Sequence, residues 1–136
     1  MEEDQRSGQH SGEGLRNLRV LLVEDDPLIR MSTEDQLIDC GCKVVAVRDG
    51  EQALLALGRE SFDVLFSDQR LPAMSGLELI GQARRQWPAL GVVLASGYGD
   101  LAGTLPGQGR MVSLPKPYTQ DGIRRALARA MQDSEG

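Results

Sequence analysis

The chain has 136 residues, and its content of 40% hydrophobic and 26% charged residues is ordinary for one globular domain. A formal net charge of −5 argues against direct binding to nucleic acid or to anionic membranes. The chain has no run of 18 apolar residues, and its polar start "MEEDQRSGQH" lacks the apolar segment of a signal peptide. Reduced thiols are expected at Cys40 and Cys42, and the predicted location is the cytoplasm.

The pattern along the chain predicts one domain at residues 18–132. Residues 1–17 are polar and aperiodic, which predicts a disordered leader or an interdomain linker, and residues 133–136 form a tail. The run "LRVLLV" predicts a strand buried on both faces. A helix follows, with Asp26 as its N-cap, Pro27 in its first turn and Gly41 at its end. Its predicted core-facing side consists of Ile29, Thr33, Leu37 and Cys40.

Four further strands and three further helices alternate after this first pair. The strands are "KVVAV", "FDVLFS", "GVVLAS" and "MVSL", and a helix ending at Gly58 separates the first two. Ser75 and Glu78 have the spacing of a capping box at the start of the helix that Pro88 ends. Where a fourth helix would lie, "GYGDLAGTLPGQGR" contains several helix breakers. The final amphipathic helix contains Ile123, Ala126, Leu127, Ala130 and Met131.

The alternation of apolar strands with helices predicts a parallel sheet covered on both faces. In such a sheet the functional crevice lies beyond the carboxyl ends of the strands. Polar groups reach that edge from four strands: Glu24 and Asp25, Asp68, Ser96 and Lys116. Each alone is also typical of a solvated loop residue, and Asp26 next to Pro27 is assigned to helix capping. Their joint arrival at one edge is what indicates a site.

Carboxylates gathered at one crevice repel one another unless a cation lies between them, and hard oxygen ligands suit Mg²⁺. An ionised Asp68 held at a strand end could act as a nucleophile. Phosphoryl transfer needs charge neutralisation around the phosphoryl oxygens, which Mg²⁺, the Lys116 ammonium and the Ser96 hydroxyl would supply. The residues therefore predict phosphoryl chemistry at Asp68.

Four motifs in this order and spacing resemble the receiver domain of bacterial two-component response regulators. They are "VLLVEDDP", "SDQRLPAMSG", "VLASG" and "LPKPY", and the resemblance runs from about Leu18 to Met131. It implies a flavodoxin-like (βα)5 fold, a doubly wound five-stranded parallel sheet in the order 2-1-3-4-5 with a weak or irregular fourth helix.

The resemblance also implies the roles of individual residues. Asp68 would be the phosphoacceptor, and Mg²⁺ would be held by Asp25, by Glu24 through water, by Asp68 and by the backbone carbonyl of Arg70. Ser96 would be the switch hydroxyl, Lys116 would stabilise the phosphoryl group, and Pro117 would follow a cis peptide bond. The implied partners are a histidine kinase or a histidine phosphotransfer protein, with a homodimer as a further option.

The chain departs from the family pattern at Ser113, where a switch aromatic is usual three residues before the lysine. In this it is similar to atypical receivers that lack the aromatic, and Tyr98 and Tyr118 are two candidates to replace the ring in part. The chain could be a stand-alone receiver, which is not itself an enzyme, or the receiver of a hybrid sensor kinase.

Three other functions remain as alternatives. The first is a small Mg²⁺-dependent phosphatase with an aspartyl nucleophile, although Pro27 stands where its general acid is expected. The second is a flavin-binding carrier, although "EDDP" would repel a phosphate group. The third is a receiver that only docks to partners.

Overall fold

A five-stranded parallel sheet forms the centre of the computed structural model, which describes residues 15–97 and 111–132. The strand order is β2-β1-β3-β4-β5, and this confirms the predicted flavodoxin-like α/β fold. The strands are β1 (Arg19–Val23), β2 (Lys43–Val47), β3 (Val64–Asp68), β4 (Gly91–Ser96) and β5 (Met111–Pro115). The helices within the described ranges are α1 (Pro27–Asp39), α2 (Gly50–Arg59), α3 (Gly76–Gln86) and α4 (Gln120–Ala130).

The inner strands are buried along their whole length, as their continuous apolar runs predict. All residues of β3 and β4 are buried, and so are the last four residues of β1. In the register, Ser67 lies beside Val23 of β1, and Asp68 lies beside Ala95 of β4. Asp68 therefore ends the middle strand of the sheet, between the carboxyl ends of β1 and β4.

Helices cover both faces of the sheet and bury two separate apolar clusters. Leu37 of α1 and Ile123 and Leu127 of α4 pack on one side, which we call the α1/α4 face. Leu57 of α2 and Ile80 of α3 pack on the other side, which we call the α2/α3 face. Each face excludes water from the apolar side chains of the strands, and this burial is the main stabilising term of such a domain.

Helix ends follow the predicted capping chemistry. The Asp26 carboxylate accepts hydrogen bonds from the first turn of α1, and Ser75 and Glu78 form a complete capping box on α3. Gly41 follows the end of α1 with a φ of 96°, a left-handed conformation that favours glycine. Helix α2 ends at Arg59, one residue later than predicted.

The prediction was wrong for Ile29, which was expected on the buried side of α1. Thr33 and Leu37 are buried, but Ile29 is 41% exposed. The reason is that the first turn of α1 lies beside the loop after β5, where Ile29 lines an open cavity with Lys116 and Tyr118. Helical periodicity gives the direction of a side chain but not how far the core extends beneath it.

At the start of the chain, Leu15 is buried in the α1/α4 cluster, so packing begins three residues before the predicted domain start at Leu18. The rest of the predicted leader and the tail lie outside the described residues. The segment predicted as a weak fourth helix, which includes Gly103 and Pro106, also lies outside them. Within the described ranges, no helix has the length and apolar content needed to cross a bilayer.

Candidate functional site

Asp68 lies at the centre of the site with both carboxylate oxygens in defined surroundings. Its side chain is almost completely buried, and Oδ1 forms an ion pair with the Lys116 ammonium. Oδ2 accepts a hydrogen bond from the Arg70 backbone N–H at 3.0 Å. The carboxylate is thus oriented by a backbone donor on one side and by a cation on the other.

The backbone of Asp68 is fixed as closely as its side chain. The buried Ser67 hydroxyl donates a hydrogen bond of 2.8 Å to the Asp68 carbonyl oxygen. A methyl group on Gly76 would come closer than 3.0 Å to the same oxygen, so only glycine allows α3 to begin so near. Gly76 in turn donates its N–H to the Gln69 carbonyl at 2.9 Å. The turn after β3 therefore holds the end of β3 directly against α3.

Three acidic residues follow the end of β1, and they do not occupy equivalent positions. Glu24 is buried, and its Oε2 accepts a hydrogen bond from the Asp26 N–H at 3.1 Å. Burial, assisted by the negative charge of Asp68, raises the pKa of Glu24. Asp25, by contrast, is exposed. Asp26 is occupied by helix capping, in agreement with its predicted role.

Lys116 approaches from the loop after β5, and two features fix its backbone. Its N–H donates to the Ser96 carbonyl at 2.9 Å, and its peptide bond to Pro117 is cis. Burial alone would lower the pKa of the Lys116 ammonium. The hydrogen bond and charge of Asp68, with the charge of Glu24, outweigh burial and raise this pKa. The Lys116 side chain therefore stays charged beside Asp68.

The family model for the response regulator receiver domain matches residues 20–128 of this chain. The chain belongs to this family. The receiver is 39% identical over 113 residues to the response regulator protein FleR of Pseudomonas aeruginosa, an alignment that covers 82% of this chain and 24% of FleR. It is 34% identical over 114 residues to the transcriptional regulator NtrC of Salmonella typhimurium, again covering 82% and 24%. The receiver thus spans about a quarter of the length of these curated relatives.

Solved receiver structures have the same fold. The receiver domain of the sensor histidine kinase PA1611 from Pseudomonas aeruginosa superposes with a TM-score of 0.75 at 28% identity, covering 85% of this chain and 98% of that one. That structure has a magnesium ion coordinated in its active-site cleft. The chemotaxis response regulator CheY4 of Vibrio cholerae gives a TM-score of 0.71 at 27% identity, covering 82% and 97%. These relationships do not favour the phosphatase alternative.

The oxygen donors of this receiver fit Mg²⁺, although the described residues contain no ready-made cage of three metal-binding side chains. Magnesium keeps several water molecules and uses only one or two carboxylates from a protein. Here Asp68 and Glu24 are buried and their charges interact, and Asp25 follows Glu24 in the chain with an exposed side chain. This arrangement of hard, negatively charged oxygens suits a hydrated dication better than a fully enclosed ion.

Ser96 is buried at the carboxyl end of β4 and lies opposite Pro115 in the register. Its position next to the lysine loop agrees with the edge predicted from the sequence. The structure therefore brings together Asp68, Glu24 and Lys116, and Ser96 joins them through its backbone bond to Lys116. Asp25 is next to Glu24 in the chain and is exposed.

Tyr118 and Tyr98 were the two candidates to replace the missing switch aromatic, and the structure describes only Tyr118. Ser113 is exposed between Val112 and Leu114, which pack on the α1/α4 face, so Ser113 points toward the α2/α3 side. Tyr118 packs with the α1/α4 cluster, on the other face of the sheet. Tyr118 cannot occupy the place of an aromatic at position 113. Tyr98 lies outside the described residues.

Three contacts of the site were not predicted from the sequence. The Ser67 hydroxyl was missed because a serine inside a strand has no distinctive pattern. The hydrogen bond between Thr33 and Tyr118 joins residues 85 positions apart, and no local signal could have indicated it. Gly76 was noted only as a member of a motif, and its contact with the Asp68 backbone depends on the tertiary fold.

Proposed function

We propose that Asp68 is the phosphoacceptor of this receiver and takes a phosphoryl group from a phosphohistidine on a histidine kinase or a histidine phosphotransfer protein. The observation that carries the proposal is the buried Asp68 carboxylate, which ends the central strand and pairs with the Lys116 ammonium. A carboxylate at a fixed position can act as a nucleophile toward phosphorus, and the paired ammonium would offset negative charge that the phosphoryl group brings.

In the proposed step an Asp68 carboxylate oxygen attacks phosphorus as the phosphorus–nitrogen bond of the phosphohistidine breaks. The imidazole nitrogen leaves with the bonding electron pair, and the product is an acyl phosphate. Lys116 would supply positive charge to the phosphoryl oxygens, and the Ser96 hydroxyl would donate a hydrogen bond to them. The Arg70 N–H keeps the carboxylate oriented while Oδ2 is its acceptor.

The residues that would hold Mg²⁺ are Asp25, Asp68, the backbone carbonyl of Arg70 and, through water, Glu24. Bound there, the ion would neutralise negative charge on the carboxylates and on the phosphoryl oxygens. The support for this assignment is the hard-oxygen character of the donors and the raised pKa of Glu24, which reflects burial and the nearby charge of Asp68. The acyl phosphate on Asp68 would then shift the receiver toward a conformation that controls a partner or an output domain.

The proposal limits the chemistry of the domain to gain and hydrolysis of its own acyl phosphate, with kinase activity in another protein or domain. Both a single-domain response regulator and the receiver of a hybrid sensor histidine kinase remain open. A cytoplasmic location is proposed with it, because the phosphodonor histidine of such systems is phosphorylated by a cytoplasmic kinase domain.

Incubation of the full chain with Mg²⁺ and acetyl phosphate, followed by intact-mass measurement, tests the proposal. The expected result is the gain of one phosphoryl group. This gain should be absent when Mg²⁺ is chelated before acetyl phosphate is added, and absent in Asp68→Ala. The matched control is Asp35→Ala, which removes an exposed aspartate from α1 and is expected to be phosphorylated like the wild type. Phosphorylation of Asp68→Ala to the same extent as wild type would disprove the assignment.

A further inference from the structure

Two hydroxyl groups meet between α1 and the loop that carries Lys116. The Thr33 Oγ1 and the Tyr118 hydroxyl oxygen are 2.7 Å apart, which is the length of a strong hydrogen bond between hydroxyls. Thr33 is buried in the middle of α1, and Tyr118 follows Lys116 by two residues. The bond therefore connects the lysine loop to a helix at a point outside the carboxylate cluster.

The ring of Tyr118 is also fixed at its apolar side. It packs edge-on against Phe66, with ring centroids 6.0 Å apart and an interplanar angle of 78°. Phe66 lies in β3, two residues before Asp68, and is fully buried. The strand that carries the acceptor thus positions the ring, and α1 positions its hydroxyl.

The lysine between these anchors is a flexible side chain that must be held in one place. Lys116 has a four-carbon side chain with many rotamers, so ordering it costs conformational entropy. Its backbone N–H is bound to the Ser96 carbonyl on one side, and Tyr118 is bound to Thr33 on the other. The Lys116 side chain extends from this doubly anchored backbone to Asp68.

We propose that Tyr118 is a positioning residue, whose hydrogen bond to Thr33 ties the lysine loop to α1 and thereby holds the Lys116 ammonium over Asp68. The proposal rests on the proposed function, since positioning matters for accepting a phosphoryl group at Asp68. It assigns to the hydroxyl of Tyr118 a role that the ring alone does not have. A phenylalanine would fill the same space against Phe66 but would leave the loop without its bond to α1.

The first test compares phosphorylation rates of the full chain with Mg²⁺ and acetyl phosphate. Tyr118→Phe and Thr33→Val each remove one hydroxyl and keep the size of the side chain. Each is expected to slow phosphorylation about fivefold, the factor that corresponds to loss of one neutral hydrogen bond. The double variant is expected to be no slower than either single variant, because the three proteins lack the same bond.

The second test observes the lysine directly, without phosphorylation. The chain has only two lysines, Lys43 and Lys116, so protein labelled with ¹³C at lysine Cε gives two assignable sets of NMR signals. The two Hε protons of a lysine side chain held in one position differ clearly in chemical shift, and fast rotation averages the two shifts to nearly the same value. Tyr118→Phe is expected to collapse this difference for Lys116 and to leave Lys43, which is exposed at the start of β2, unchanged.

The outcomes separate this proposal from the proposed function. If wild type gains no phosphoryl group, the proposed function fails. The lysine spectra then still test whether the hydrogen bond between Tyr118 and Thr33 positions Lys116. If wild type is phosphorylated while Tyr118→Phe keeps the wild-type phosphorylation rate and two distinct Lys116 Hε signals, the positioning role of Tyr118 is refuted. It is refuted as well if the rate falls while the Lys116 signals stay unchanged, because the hydroxyl would then act through the general fold.

Discussion

Replacement of Gly76 by alanine is a sharp test of how the acceptor is held. An added methyl group would lie closer than 3.0 Å to the Asp68 carbonyl oxygen, 2.8 Å from Leu94 Cδ1 and 3.0 Å from Gln69 Cα. Ordinary contacts begin at about 3.4 Å, and two of these three atoms belong to the backbone. The start of α3 or the end of β3 must therefore move, by on the order of 1 Å, a displacement that can lower a reaction rate about 100-fold.

The same variant has a predicted effect on stability. Overpacking of this kind costs about 1–3 kcal/mol, and we expect Gly76→Ala to lower the free energy of unfolding by that amount. Unfolding in urea measures the loss of stability, and phosphorylation by acetyl phosphate, read by intact mass, measures the rate for the folded protein.

Gly81 provides a matched control in the same helix. It is exposed in the middle of α3, and an added methyl group there would have no neighbour within 4 Å. Gly81→Ala is expected to raise the free energy of unfolding by about 1 kcal/mol through helix propensity and to leave phosphorylation unchanged. If Gly76→Ala matched Gly81→Ala in both measurements, the contact with the Asp68 backbone would have no role in holding the acceptor.

Two further predictions concern residues outside the carboxylate cluster. Ala73 has a φ of 71°, a conformation that costs an L-residue about 1–2 kcal/mol. Glycine removes this cost but makes the unfolded chain more flexible. Ala73→Gly should therefore raise the free energy of unfolding in urea by about 0.5 kcal/mol. The control Ala128→Gly, in α4, should destabilise it by about 1 kcal/mol, and equal losses in the two variants would contradict the reasoning. Burial raises the pKa of the Cys42 thiol to about 12, so at pH 8 a thiol reagent should label Cys42 far more slowly in native protein than in urea-unfolded protein. Rapid native labelling of Cys42 would show that the thiol is accessible and ionised.

The strands of this domain could be predicted because a sheet covered on both faces needs continuous apolar runs. The carboxyl ends of the same runs located Glu24, Asp68 and Ser96, since parallel strands deliver their ends to one edge. Ile29 shows the limit of periodicity, because its position on the helix was right but the core does not extend that far.

Other features had no local signal in the sequence. Ala73 adopts a left-handed conformation that glycine usually provides, so its residue type gives no indication of the turn. The hydrogen bond between Thr33 and Tyr118 depends on the packing of α1 against the loop after β5. Such contacts arise from the assembled fold, and one sequence taken alone contains no record of them.

The opposite faces occupied by positions 113 and 118 determine where a change at Lys116 can be transmitted. A side chain at position 113 points toward the α2/α3 side, whereas Tyr118 reaches Thr33 of α1 on the other side of the sheet. Under the proposed function, a phosphoryl group at Asp68 changes the distance over which the Lys116 ammonium must reach. The backbone of Lys116 is bound to Ser96, so a change in the position of the ammonium is taken up by the Lys116 side chain or is passed through Tyr118 to α1. In this receiver, which has serine at position 113, α1 is therefore the described helix whose surface should respond first to phosphorylation.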